Sequence, residues 1–394
     1  MTMTLRRIVR HRVDKDVVGE RPLVNLDSVA SGGGRLSDAA DLVLSQASQN
    51  IAAEPGDVLF AKLRPYLRKS LYVEEPVFAS GEFLCLRPQP GVVDGRWLLY
   101  LSLSDPWVNF SQASSYGAKM PRTSWEEMAA LPVSPPPLEV QRILAAFLDD
   151  QVARIDEAVR LRREQVDLLD SRLDAALEAL LVAPFSSGEA LVRLTDPSRP
   201  IQYGIVLPGP DVEGGVPIIK GGDVASHRLR LDLLKRTTHE IDAQYSRSRV
   251  KAGDLVIAIR GSVGEIGRVP DELTGANLTQ DSARIAPLGC DADWLHAVLE
   301  TPTVQSRMRQ MITGATVKGI NIGDLRRIEV PTPASLCAQR ELGREASRLR
   351  SQAFEVRSLC LDSNALLDER KRSLITAAVT GEFDVTTASG RGIQ

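Results

Sequence analysis

The chain is written twice. Gly56-Asp57 recurs as Gly253-Asp254, Trp97-Leu98 as Trp294-Leu295 and Gly117-Ala118 as Gly314-Ala315, in unchanged order and at one offset, 197 residues (254 − 57). Pro136 returns at that offset as Pro333, and Gln141-Arg142 returns one residue later as Gln339-Arg340. Solenoid repeats run roughly 20 to 50 residues, so this period belongs to a duplicated module of domain size. Each copy is a mixed segment followed by a charged, Leu-rich helical stretch, and two such copies in one polypeptide suggest an internal two-fold axis.

Spacing within the helical stretches says how the copies meet. Val152, Ile155, Val159, Arg162, Val166, Leu169, Leu173, Ala176 and Leu180 alternate steps of three and four, a heptad seam with one polar interruption at Arg162. In the second copy Leu342, Ala346, Leu349, Ala353, Val356, Cys360, Ser363, Leu367, Arg370, Leu374 and Ala377 keep the alternation, with Ser363 and Arg370 as polar members. A helix with a narrow apolar stripe needs a partner, and the most available one is the other copy. An intramolecular coiled coil is therefore predicted, with a helix bundle completed by outside partners as the alternative. Antiparallel pairing would set the modules at opposite ends of a rod, in which Val152 to Leu180, 29 residues, spans roughly 44 Å. Proline clusters, Ser134-Pro-Pro-Pro137 and Val330-Pro-Thr-Pro333, precede the helices and stiffen each hinge.

The mixed segments are expected to be α+β, with antiparallel or mixed sheets. Asp57-Val-Leu-Phe-Ala61, Phe83-Leu-Cys-Leu86 and Gly253-Asp-Leu-Val-Ile-Ala-Ile259 read as strands between Gly- and Pro-rich breaks. Gly95 to Leu103, Trp107 to Ala113 and Asp293 to Met311 have helical spacing. The expected order is a mixed domain over 1–137, a helical region over 138–184, a second mixed domain over 185–335, a second helical region over 336–382 and a tail over 383–394. For 394 residues, two or three domains is the ordinary number at about 100 to 200 residues each.

Composition excludes several classes. No stretch approaches the roughly 18 uncharged apolar residues of a membrane span, and the N-terminal residues lack a signal-peptide core, so no membrane partner is expected and the cytoplasm is the default. Four cysteines without a C-x-x-C pair, beside four histidines, encode neither a disulfide framework nor a zinc site; they are expected to be core thiols. The net charge of −3 hides local contrast. Val58 to Val73 carries four basic residues and no acidic one, Arg228 to Lys251 carries seven basic against three acidic, and Gln151 to Pro184 carries seven acidic against five Arg.

No recognisable catalytic motif is present. There is no P-loop. Gly261-Ser-Val-Gly264-Glu-Ile-Gly267 lacks the G-x-G-x-x-G spacing and reads as a turn between two strands. Glu369-Arg370-Lys371 has an E-x-K spacing found in some nucleases, but it straddles a seam position of a heptad helix, where charged flanks are ordinary. The histidines stand apart from any nucleophile motif, and no metal site is expected. The chain reads as a binder.

Three local strings then converge. Gly56-Asp-Val-Leu-Phe-Ala-Lys-Leu-Arg-Pro-Tyr-Leu-Arg-Lys69 with Ser80-Gly-Glu-Phe-Leu-Cys-Leu-Arg-Pro88, and Gly253-Asp-Leu-Val-Ile-Ala-Ile-Arg-Gly-Ser-Val-Gly264, resemble the target-recognition domains of type I restriction-modification specificity subunits. Gly117-Ala-Lys-Met-Pro-Arg122 and Gly314-Ala-Thr-Val-Lys-Gly-Ile-Asn321 are similar to that family's boundary between recognition domain and helical region, and Glu369 to Gly381 looks like the end of its second helix. The resemblance implies two α/β target-recognition domains separated by two long helices that pair as an antiparallel coiled coil with pseudo-two-fold symmetry. It implies a non-catalytic subunit that reads a bipartite, asymmetric site on double-stranded DNA and uses the helices as ruler and dock. Two DNA adenine methyltransferase subunits and, for cleavage, two restriction subunits would be the partners. S-adenosylmethionine, ATP and magnesium belong to those partners, and no cofactor is expected in this chain.

Arginine presents a fork to guanine O6 and N7, and lysine a point charge to phosphate. On that chemistry the candidate DNA contacts are Lys62, Arg64, Arg68, Lys69, Lys119 and Arg122 in the first module, and Arg260, Ser262, Lys318 and Asn321 in the second. A solvated surface is the alternative for each, and Arg247, Arg249 and Lys251 are weaker candidates. Lys-Leu-Arg-Pro-Tyr in one module stands against Ile-Arg-Gly-Ser-Val in the other, so the half-sites are expected to differ. The rival readings are a self-sufficient DNA enzyme, a reader with no restriction partner, and a coiled-coil scaffold that binds no DNA.

Overall fold

The computed structural model describes residues 2–15, 19–37, 40–46, 50–117, 119–225, 227–314 and 318–382. The expected tail over 383–394, and Ala118 and Ala315 of the repeated Gly-Ala pairs, lie outside them. The chain divides into two compact units, one taking the residues up to Glu164 and those from Cys360 onward, the other running from Gln165 to Leu359. Each unit thus holds one mixed domain and one half of each long helix.

In the first unit Val58–Ala61 is the inner strand of an antiparallel sheet, between Phe83–Pro88 and Ser70–Tyr72, with Val9–Arg12 at the outer side of Phe83–Pro88. Its four residues are all buried, because both faces of the strand are covered. Val58 and Phe60 join Trp97, Leu98 and Trp107 of the helices Gly95–Leu103 and Asp105–Ala113. Leu59 and Ala61 face a second core with Val24, Ile51 and Ala79 of a mixed sheet, in which Glu20–Val24 runs parallel to Val77–Ala79. A strand covered on both faces reads as an unbroken apolar run, so the sequence shows no alternation there.

The second unit repeats the plan. Leu255–Ala258 lies between Ser282–Ile285 and Ile266–Arg268, all antiparallel, with Gln202–Tyr203 beyond Ser282–Ile285. Leu255 and Ile257 pack with Trp294, Leu295 and Val298, and Val256 and Ala258 pack with Ile219 and Leu278. The glycine-spaced segment after Leu255–Ala258 is the expected turn between two strands, and the expected stretch Asp293 to Met311 is two helices, Ala292–Leu299 and Pro302–Gln310.

The repeated dipeptides have structural work. Asp57 is fully buried, paired with Arg12 and Arg87, and accepts the Glu54 N–H at 2.8 Å; Asp254 takes the same position opposite Arg199 and accepts the Lys251 N–H at 2.7 Å. Gln141 is buried too. Its Oε1 accepts the N–H of Asp94 at 2.8 Å, and its Nε2 donates to the carbonyls of Val92 at 2.9 Å and Pro136 at 2.8 Å. Asp94 in turn caps the helix Gly95–Leu103 by accepting from Arg96 and Trp97 N–H. In the second unit Gln339 accepts the Asp291 N–H at 2.9 Å, and Asp291 caps Ala292–Leu299 through Trp294 N–H. Each glutamine locks the start of a long helix to the start of a core helix.

Both long helices exceed the heptad stretch: they span Leu138–Leu181, 44 residues, and Leu336–Thr380, 45 residues. Within the first unit Ile375, Ala378 and Val379 pack against Leu144, Ala145 and Leu148, and Lys371 reaches Asp156 at 2.7 Å, so the two helix halves run antiparallel. Within the second unit Ala346 and Leu342 join Leu177 and Leu181, and Arg357 faces Asp170 at 3.4 Å, again antiparallel. Val152, Ile155 and Val159 are buried, and Val166, Leu169, Leu173, Leu349, Leu367 and Leu374 are half-buried along the seam.

The second seam departs from expectation in three places. Val356 is 39% exposed, because at its level Arg357 turns toward Asp170. Beyond Cys360 the buried polar members are Asn364 and Lys371, one residue later than Ser363 and Arg370. A straight helix drifts about 20° per heptad from a 3.5-residue repeat, so a stripe read on strict three-four alternation slides by a residue along a helix this long. The cysteines differ as well: Cys85 and Cys360 are buried, Cys290 is half-buried with its thiol pushed up to about 11 chiefly by burial, and Cys337 is exposed on the first turns of the second helix.

Candidate nucleic-acid interface

In the first unit the connection between Val58–Ala61 and Ser70–Tyr72 carries Lys62, Arg64, Arg68 and Lys69 around a single 3-10 turn, Pro65–Leu67. Arg64 and Arg68 flank the turn in the left-handed region, at φ 49° and 51°, the two non-glycine residues with positive φ among the described residues. A second segment closes beside it. Arg64 N–H donates to the Pro121 carbonyl at 2.8 Å, Thr123 N–H to the Lys62 carbonyl at 3.0 Å, and Tyr116 and Arg122 exchange backbone bonds at 3.0 Å. The closing string of the sequence therefore lies against this basic loop, with Lys119 and Met120 at its exposed tip.

Some of these cations are committed inside the fold. Arg68 donates to the Leu103 carbonyl at 2.6 Å and pairs with Asp105, and Lys69 Nζ donates to the Leu26 carbonyl at 2.5 Å. Arg122 donates to Glu82 at 2.6 Å. Burial lowers the Lys62 pKa, opposed by Glu82 and reinforced by Arg122. His11, stacked on Trp125 with ring centroids 5.1 Å apart, is lowered by burial and by Lys62. Arg64 and Lys119 are exposed and hold no side-chain hydrogen bond or ion pair among the described residues, and Tyr66 and Tyr116 are exposed beside them.

The strained turn makes a direct test of Arg64. A left-handed non-glycine residue costs roughly 1 to 2 kcal/mol, part of which glycine returns as extra backbone entropy. Arg64→Gly should therefore stabilise the first unit by up to about 1 kcal/mol, whereas Arg68→Gly, which also abandons Leu103 and Asp105, should lose about 1 to 3 kcal/mol. Urea unfolding followed by tryptophan fluorescence distinguishes them; a destabilised R64G would mean that its side chain holds the loop.

In the second unit the connection after Leu255–Ala258 presents Arg260 and Ser262, both exposed, and Gly261 at φ 73°. Arg260 lies 3.9 Å from Asp281, and its backbone bridges to Gly319, which also pairs with Thr313. The closing segment thus lies beside the loop as in the first unit, and Lys318 on it is exposed. Asn321 has a different role: its Oδ1 accepts Asp324 N–H at 2.9 Å and caps the helix Ile322–Arg327, as Ser124, 197 residues earlier (321 − 124), caps Trp125–Met128.

The three weaker candidates, Arg247, Arg249 and Lys251, stand together with two arginines that the sequence did not single out. Arg199, Arg247, Arg249, Lys251 and Arg284 line a cleft of about 750 Å³ in the second unit. Arg284, 2% exposed, donates to the carbonyls of Arg247 and Arg249, both at 2.7 Å; burial and then Arg199 lower its pKa. The basic run over 228–251 was the available signal, but Arg199 and Arg284 stand too far along the chain to be joined to it by inspection. Among the described residues no group of three or more His, Cys, Asp or Glu gathers to hold a metal, and no helix is long and apolar enough to cross a membrane.

No protein-family profile matches the chain. It is similar to the EcoBI type I restriction enzyme specificity subunit of Escherichia coli, 28% identical over 274 residues, which is 63% of this chain. That alignment spans 57% of the EcoBI subunit's own length. With the EcoKI specificity subunit of Escherichia coli K12 it shares 23% identity across 92% of this chain and 82% of that one. Its fold matches a structure described as the basis of complex assembly and conformational transition of the type I R-M system, with TM-score 0.76, 19% identity and coverage of 97% of this chain and 98% of the other. It also matches the HsdS subunit from Thermoanaerobacter tengcongensis, with TM-score 0.54, 19% identity and 97% of each chain covered.

Proposed function

We propose that this chain, whose relatives in sequence are type I restriction enzyme specificity subunits, is itself the DNA-specificity subunit of such a complex. It is a non-catalytic reader of a bipartite, asymmetric duplex site and works in the cytoplasm. The observation that carries the reading is the pairing, in both units, of a divergent loop with a closing segment on one shared frame: Leu63 bridges Arg122 in one, Arg260 bridges Gly319 in the other. Two like frames with unlike tips suit two unlike half-sites. Arg64 and Lys119, and Arg260, Ser262 and Lys318, are the side chains left available for base edges and phosphates. Arg68, Lys69 and Asn321 instead hold the tips in shape.

The long helices supply dock and ruler. In the first unit Leu161 and Leu366 are exposed, and in the second Leu168, Leu359 and Phe354, apolar side chains on otherwise charged helices. Such faces favour covering partners. The partners are two adenine methyltransferase subunits using S-adenosylmethionine, joined for cleavage by two restriction subunits using ATP and magnesium. Exchanging the two mixed domains, co-expressing the chain with its methyltransferase and mapping methylated adenines should give exchanged half-sites at unchanged spacing. A swap that left the methylated sequence as it was would defeat the assignment.

A further inference from the structure

The basic groove of the second unit lies at the other end of the sheet from its recognition loop. Lys251 and Arg284 stand where the strand Leu255–Ala258 begins, and Arg260 stands where it ends. Five cationic side chains line the cleft. Three carboxylates answer them: Asp254 is paired with Arg199, Asp242 with Arg249 and Asn277, and Asp196, which accepts from Ser198, acts at longer range on Arg199 and Arg284. Although burial pushes the Asp242 carboxyl up, the bonds from Arg249 and Asn277 hold it below its usual range. Arg247 and Lys251 are exposed and carry no side-chain hydrogen bond or ion pair among the described residues.

Arg284 is the anchor. Its guanidinium is satisfied by carbonyls of residues 200, 247 and 249 and by no direct carboxylate, and its buried Nε has no partner among the described residues. Asp254 and Asp196 act on it only through space, and five cations against three carboxylates leave the cleft a net positive field. At the repeat offset, the first unit has Asn50, Ala52 and Glu54 where this one has Arg247, Arg249 and Lys251 (247 − 50). Glu54 there is paired with Arg21. Arg284 keeps a cation at that offset, Arg87, but Arg87 is paired with the buried Asp57, so the exposed cations of the cleft are what the first unit replaces.

Four residues of strand separate groove and loop by roughly 13 Å at 3.3 Å per residue, close to the approximately 12 Å width of the DNA major groove. A loop entering that groove would leave the bordering backbone near the cleft. We propose that this groove binds the phosphodiester backbone of duplex DNA, gripping the second half-site without reading its sequence. The proposal rests on the DNA-specificity reading and deepens it: this cleft supplies sequence-independent affinity beside the second unit's reading loop.

The test is the salt dependence of binding of a labelled 30-base-pair duplex of unrelated sequence by the full chain. Each phosphate contact contributes about 0.9 to the slope of log affinity against log salt. Arg247→Ala with Lys251→Ala should flatten the slope by about 1.8, and Arg247→Lys with Lys251→Arg should restore it. Neither side chain holds a bond among the described residues, and circular dichroism checks the fold of both variants. A steep slope unchanged by the alanine pair would overturn the groove and leave the reader intact. Loss of the co-purifying methyltransferase with an unchanged slope would assign the groove to an acidic protein face and also overturn the proposal. Absence of any duplex affinity in the unaltered chain would overturn both.

Discussion

A Gln141→Leu variant is expected to lose about 3 to 5 kcal/mol of stability in its unit. The side chain is fully buried and satisfies three backbone groups, the Asp94 N–H and the Val92 and Pro136 carbonyls. Leucine fills similar space but leaves all three without partners, each costing about 1 to 3 kcal/mol, offset in part by apolar burial. The loss also reaches the Asp94 cap and so the helix that carries Trp97. Gln339→Leu should act alike in the second unit through Asp291 and Trp294. Urea unfolding by fluorescence reports the units separately, since Trp97, Trp107 and Trp125 lie in one and Trp294 in the other. The exposed neighbour Arg142, tied among the described residues only to Glu139 at 3.6 Å, is the control: Arg142→Ala should stay within about 0.5 kcal/mol. Equal stability of Q141L and R142A would remove the glutamine from its bracing role.

Breaking the buried pair in the helical seam should cost nearly as much. Lys371, 6% exposed, reaches Asp156 at 2.7 Å and Asp368 at 3.5 Å. Lys371→Ala leaves Asp156 half-buried with Arg35 still 3.6 Å away, so about 2 to 4 kcal/mol is expected, somewhat below the cost of a fully orphaned charge. Lys371→Met combined with Asp156→Leu removes both charges and should be neutral or stabilising. The contrast is the measurement: guanidinium midpoints of the single and double variants that coincide would show that the pair does not stabilise the seam. A polar pair in an apolar seam fixes register more than it adds stability, so the double variant should also tolerate sliding of one helix on the other.

Much of the frame was legible in the sequence, for reasons that can be named. The strands around Leu59 and Val256 announce themselves as apolar runs because they are covered on both faces, and the glycine spacing after Ile259 favours a turn. The helices announce their middles better than their starts. Between Leu138 and Gln151 the first helix packs on a globular core, with Gln141 buried in it and Tyr100 donating to Asp149 at 2.6 Å, so heptad spacing does not begin until Val152. The two segments of the candidate site were legible, but the commitments of their side chains were not. Arg68 and Lys69 have the side chains of DNA contacts and are occupied by carbonyls of Leu103 and Leu26, 35 and 43 residues away. Asn321 offers an amide suited to adenine and uses its oxygen as a helix cap. Local chemistry selects candidates; distant backbone decides which are free.

The division of each long helix between two units also sets a timetable. The second unit is an uninterrupted run and can close as soon as Leu359 has emerged, but the first waits for Ile375, Ala378 and Val379. At roughly 5 to 20 residues per second of synthesis, the intervening 195 residues, Gln165 to Leu359, occupy about 10 to 40 s. Throughout that interval Val152, Ile155 and Val159, beyond the part of the helix that packs on the globular core, lack the second long helix that buries them. The half that leaves the ribosome first is finished last, and the nascent chain carries an open apolar seam throughout that interval.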